Sequence, residues 1–82
     1  MANKMIQPFV LVGLKIVEKM EIVDKKGQGL VMRFAKMYKP EKLGKIIEVA
    51  QNFVWWKSNP TAAFLKAVGV VNKQEKDEKN TT

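Results

Sequence analysis

The side chains able to do chemistry in this chain are few, and most of them are cations. Fifteen lysine and arginine residues stand against eight aspartate and glutamate, with no histidine and no cysteine. Without histidine, no side chain changes charge near neutrality at its ordinary pKa, and the commonest general base is missing. Without cysteine there is no thiolate nucleophile, no disulfide and no cysteine-type zinc site. The carboxylates are scattered, mostly beside lysines. Glu18 and Glu21 stand three apart, but Lys15 and Lys19 surround them. They read as a solvated helix face, not as an acid–base couple, which needs an apolar setting to separate its pKa values. No carboxylate cluster offers a metal the oxygen ligands it would require. The expectation is a protein that is not an enzyme and needs no metal or cofactor.

What remains is binding, and the placement of charge says where. The formal net charge is +7. Residues 1–24 and 67–82 each balance three lysines against three acids, whereas residues 25–66 hold nine basic groups and two acids, Glu41 and Glu48. The whole excess therefore lies in the middle of the chain, which points to a polyanionic partner. The candidate nucleic-acid-binding residues are Lys25, Lys26, Arg33, Lys36, Lys39, Lys42, Lys45, Lys57 and Lys66, with Trp55 and Asn59. Lysine and Arg33 neutralise phosphates and release counterions. A tryptophan outside the core can stack on a base. The backbone N–H groups at a helix start near Asn59 can meet a phosphate. Each signal has a plainer reading: lysines as a solvated face, Ser58 and Asn59 as helix caps alone, Trp56 as core. The alternative function is a small protein-interaction module, an adaptor or inhibitor, docking through Trp55 and the last helix on a protein partner or a second copy.

These residues must be positioned by helices. Ser58-Asn59-Pro60 is the sharpest punctuation in the chain. Ser58 or Asn59 can accept from the free N–H groups of a new helix, and Pro60 suits its first position. One helix thus stops near Lys57 and another begins at Pro60. Residues 8–24 read as a first helix, with Phe9, Ile16, Met20 and Val23 on one side. Residues 24–29 read as a loop, because Gly27 and Gly29 supply backbone freedom; their spacing fits no phosphate-binding loop. Residues 30–38 read as a short second helix, closed by Lys39-Pro40. Pro40 opens a third that runs to about Trp56, on which Trp55 falls away from the apolar face above Gly44. Residues 60–72 form a last helix, apolar almost all round. Residues 73–82 contain no apolar side chain and read as a disordered polar tail.

The fold expected is all-α, one small domain over residues 1–72, a bundle of four helices with a helix-turn-helix-like corner. Its core is drawn from Phe9, Ile16, Met20, Leu30, Phe34, Leu43, Ile47, Phe53, Phe64 and Val68. The apolar run at residues 9–14 is far short of the ~20 residues that span a bilayer, and no small-residue cleavage site follows it. A cytoplasmic protein with no membrane partner is expected.

Residues 59–68, NPTAAFLKAV, after a helix rich in Ala, Ile and Lys, resemble the Asn-Pro-x-Ala-Tyr-Phe element near the C-termini of plasmid and phage replication-initiation proteins. The resemblance covers residues 43–72. The family's Tyr-Phe pair is here Ala63-Phe64, and Trp55-Trp56 departs from its pattern. Nothing in residues 1–40 resembles the family's winged-helix domain. What the resemblance implies is an accessory role in DNA replication or in a mobile element, with DNA or RNA as partner.

Overall fold

A computed structural model describes residues 8–80, with side chains described over residues 10–78. Among these residues there are four helices and no strand: α1 Pro8–Lys19, α2 Lys25–Met37, α3 Pro40–Asn52 and α4 Pro60–Asn80. The protein is an all-α bundle of four helices.

The first helix ends earlier than its apolar pattern suggests. Met20 and Glu21 form a turn, and Glu21 adopts the left-handed region at φ 53°. The Ile22 N–H donates to the Val17 carbonyl at 3.0 Å and the Glu21 N–H to the Glu18 carbonyl at 3.1 Å. These are the paired bonds of a Schellman cap, which satisfies the last carbonyls of a helix. The residues expected as a loop are mostly the first turns of α2. Asp24 is its N-cap, with Oδ2 accepting the Gly27 N–H at 2.8 Å, as a short carboxylate at that position should.

Gly27 is buried because α4 starts beside it. A Cβ at Gly27 would overlap Thr61 Oγ1 and sit 2.8 Å from Ile22 Cγ2 and 2.9 Å from Asp24 Oδ1. The glycine therefore marks a close approach of two helix starts, not a flexible connector. The Thr61 hydroxyl donates to Asp24 Oδ1 at 3.3 Å across the same junction.

The helices pair in sequence: α1 with α2 and α3 with α4, each pair antiparallel. Lys42 near the start of α3 meets Glu75 in α4, and Phe53 just past the end of α3 meets Lys66. Between the pairs, α3 approaches both α1 and α2, and α2 reaches α4 through side chains. The Phe34 and Phe64 rings lie 5.7 Å apart, and the Asn72 amide donates to the Tyr38 hydroxyl at 3.4 Å. The core is Ile16, Met20, Ile22, Val31, Ala35, Leu43, Ile46, Ala50, Ala63, Phe64, Ala67, Val68 and Val71. Of the ten core residues expected from the sequence, Ile16, Met20, Leu43, Phe64 and Val68 are buried. Phe34, Ile47 and Phe53 pack against the core half-buried, as Leu30 is half-buried, and the Phe9 side chain lies outside the described residues.

Two further expectations are corrected. The third helix stops at Asn52, not near Trp56, because Phe53 leaves the helical region at φ −74°, ψ 132°. The last helix does not stop at Asn72. Residues 73–80 continue α4 where a disordered tail was expected; Lys, Gln and Glu favour helix on their own account. The expected tail's last two residues, Thr81 and Thr82, lie outside the described residues.

Candidate nucleic-acid interface

The turn between α3 and α4, residues 53–59, carries the most exposed apolar surface near the basic groups. Its backbone is tied down locally. The Phe53 N–H donates to the Ala50 carbonyl at 3.2 Å, Trp56 to Phe53 at 3.1 Å and Ser58 to Trp55 at 2.9 Å. Asn59 then starts α4: its Oδ1 accepts the Ala62 N–H at 3.2 Å, and its carbonyl accepts the Ala63 N–H at 3.0 Å. Pro60 stands at the first helical position, where its missing N–H costs nothing. The expected cap is therefore Asn59.

Because the chain has left the helix by Phe53, the angular placement that set Trp55 above Gly44 does not hold. A Cβ on Gly44 would meet nothing within 4 Å. Instead the rings of Phe53 and Trp55, two residues apart, stack with centroids at 5.2 Å and planes 4° apart. Phe53 is half-buried against the core and anchors the pair. Trp55 keeps 38% of its surface exposed, and Val54 beside it is 97% exposed. Trp56 packs against the core, in line with its expected role.

Two ammonium groups frame this corner. Lys66 Nζ lies 5.7 Å from the Phe53 centroid and 6.0 Å from that of Trp55. Near-equal distances from two parallel, stacked rings place the nitrogen beside the pair and not centred on the outer face of Trp55. Such contacts are weakly attractive through the ring quadrupole. Lys57 Nζ sits 5.8 Å from the Trp56 centroid. The Asp24–Thr61 contact brings the start of α2, with exposed Lys25 and Lys26, to the same end of the molecule.

The other sequence-assigned cations lie elsewhere. Lys39, Lys42 and Lys45 line a shallow depression with Met37, Tyr38, Glu41 and Glu75, at the other end of the α3–α4 pair. Lys42 Nζ is 3.1 Å from Glu75 Oε1 and 4.1 Å from the Tyr38 ring centroid, so it is held in the fold. Two carboxylates within three lysines leave this group weakly charged. Arg33 and Lys36 line a second hollow with Gly29 and Met32. The nine cations thus form three groups: Lys57 and Lys66 beside the aromatic corner with Lys25 and Lys26 at the same end of the molecule, and two others. Eight of the nine are exposed, and Lys42 is half-buried.

Phe53, Val54 and Leu65 were not among the sequence-assigned binding residues, yet they share this corner or its flank, Leu65 being 42% exposed. No periodic signal in the sequence finds Phe53, because residues 54–58 run in turns and neither the helical nor the strand period applies there. Among the described residues, no group of three or more carboxylates is placed to hold a metal ion, and no helix is long and apolar enough to cross a membrane. No family model matches the chain, and no characterised protein or solved structure matches it either. The likeness of residues 43–72 to the replication-initiation element therefore stands on those residues alone.

Proposed function

We propose that this protein is a non-catalytic nucleic-acid-binding protein of the cytoplasm. The observation that carries this reading is the confinement of the entire +7 to residues 25–66, with eight of its nine cations exposed. Exposed cations gain affinity for DNA or RNA by releasing condensed counterions. The replication-initiation resemblance is consistent with an accessory role in plasmid or phage DNA replication, and belongs to the same proposal.

Its test is a salt titration of affinity for a random duplex and a random single strand. If the four lysines at the aromatic corner's end of the molecule each neutralise a phosphate, log K for a single strand falls with log[salt] at a slope of roughly −3. Replacing Lys25 and Lys26 together by alanine should lower affinity at low salt and make that slope shallower by about 1.4. Binding that is undetectable at low salt, or indifferent to salt, removes the proposal.

A second reading draws support from one specific feature. Val54, Trp55 and Leu65 expose apolar surface at and beside the corner, and clustered exposed apolar side chains mark protein-binding sites. A protein-interaction module would lose partner capture on Trp55→Ala and keep it when Lys25 and Lys26 are changed to alanine. The nucleic-acid reading requires both changes to weaken binding.

A further inference from the structure

We infer that the corner formed by Phe53, Trp55, Lys57 and Lys66 is a stacking site for an unpaired base, so that the favoured ligand is a single strand and not a duplex. The inference rests on the nucleic-acid reading and deepens it.

The argument begins with the rings. Phe53 covers one face of Trp55 in a parallel stack, 5.2 Å between centroids and 4° between planes. Trp55 nonetheless remains 38% exposed as a residue, and the Lys66 ammonium stands beside the pair. The face of Trp55 turned away from Phe53 would continue an existing stack. A base laid on it would become the third ring, parallel to the other two and at little cost in side-chain ordering, because Phe53 is already packed against the core. Every base has such a face, so the contact tolerates any sequence. In a duplex the bases are stacked on each other and cannot offer a face to Trp55 without being extruded.

The charges agree with this geometry. A strand whose base rests on Trp55 carries its phosphates a few ångströms to the side. Lys66 is placed there, with Lys57 next along the turn and exposed Lys25 and Lys26 at the same end. Asn59 contributes less than the sequence suggests, since its Oδ1 is engaged by the Ala62 N–H. Aromatic platforms within a cationic track are the usual means of holding single strands.

The experiment compares four ligands by fluorescence anisotropy at one low salt concentration. They are a labelled ten-nucleotide thymidine strand, an abasic strand of equal length, a ten-base-pair duplex and a short peptide of aspartate residues. The abasic strand keeps the phosphates and lacks the rings. The wild-type chain should bind the thymidine strand about tenfold or more tightly than the abasic strand. Trp55→Ala should erase that difference while leaving the salt slope unchanged, and Trp55→Phe should restore most of it. Melting curves of both variants check that the fold persists, and the wild-type comparison stands even if one variant fails to fold. Equal affinity for the thymidine and abasic strands, or a duplex bound as tightly as the thymidine strand, overturns the stacking site but leaves the nucleic-acid reading intact. Failure to bind any of the three nucleic acids overturns both. Binding the aspartate peptide as tightly as the thymidine strand reduces the corner to a generic anion site and overturns the inference.

Discussion

At the scale of single residues, Gly27 has the least freedom to change. It looks like a loop glycine, next but one to another glycine and after two lysines. Its role is steric: Thr61, Ile22 and Asp24 all close on the place where a Cβ would be. The Thr61 hydroxyl and the Asp24 carboxylate are themselves partners, so moving either side chain breaks a bond that joins two helix starts. Gly27→Ala should destabilise the protein by about 1–3 kcal/mol. That loss lowers Tm by roughly 4–8 °C per kcal/mol in a domain of this size. Adding Thr61→Ala should return part of it, because neighbours that share a clash are not additive. Thermal denaturation of Gly27→Ala, Thr61→Ala and the double variant checks this. Gly44 and Gly69 carry no such constraint, as nothing lies within 4 Å of either added Cβ. Gly27 could not be told from Gly44 in the sequence, because the difference lies in a residue thirty-four positions away in the chain.

At the scale of elements, the helix starts at proline were legible and the two unmarked ends were not. Pro40 and Pro60 each open a helix, as their chemistry requires. The end of α1 carries no glycine or proline. Glu21 takes the left-handed position that glycine usually fills, and the apolar pattern runs on through Ile22, which is buried beyond the helix. A 3.6-residue period therefore continues where the helix does not. That strain is removable. Glu21→Gly should stabilise the protein by about 0.5–1 kcal/mol, the left-handed penalty less the added flexibility of the unfolded chain. Urea denaturation should show a raised midpoint with an unchanged slope. The aromatic corner was half legible for the same reason. Trp55 was singled out as exposed and is, but its partner Phe53 was assigned to the core. Only the break at Asn52 puts the two rings face to face. The reach of α4 beyond Asn72 was hidden because residues 73–80 have no apolar side chain to announce a helix; one of them, Glu75, nonetheless reaches Lys42.

At the scale of the whole molecule, the fold rests on a thin margin. The principal-axis extents are 45 × 35 × 16 Å, and the shortest leaves room for about two helices at the usual separation of ~8–10 Å. A chain of this length has a total stability of only ~4–12 kcal/mol. Phe64 is fully buried and touches Phe34 across the two helical pairs. Phe64→Ala should cost about 3–5 kcal/mol, enough to leave a large unfolded fraction at physiological temperature. Circular dichroism at 222 nm would show it as a lost or much lowered transition. Retention of most of the wild-type stability would mean that the two pairs do not depend on this ring to stay together.

The helices pair as two sequential hairpins. Contacts within α1–α2 and within α3–α4 join residues close in the chain, so each half closes quickly. The seam between them includes α3 against both α1 and α2, with the Gln51 amide donating to the Lys19 carbonyl, as well as Asp24 with Thr61, Phe34 with Phe64 and Tyr38 with Asn72. The aromatic corner sits wholly inside the second hairpin, where Phe53, Trp55 and Lys66 hold one another without help from the first. Transient parting of the halves would leave the corner assembled, and a strand held there would brace one half while the hinge line stayed free to open.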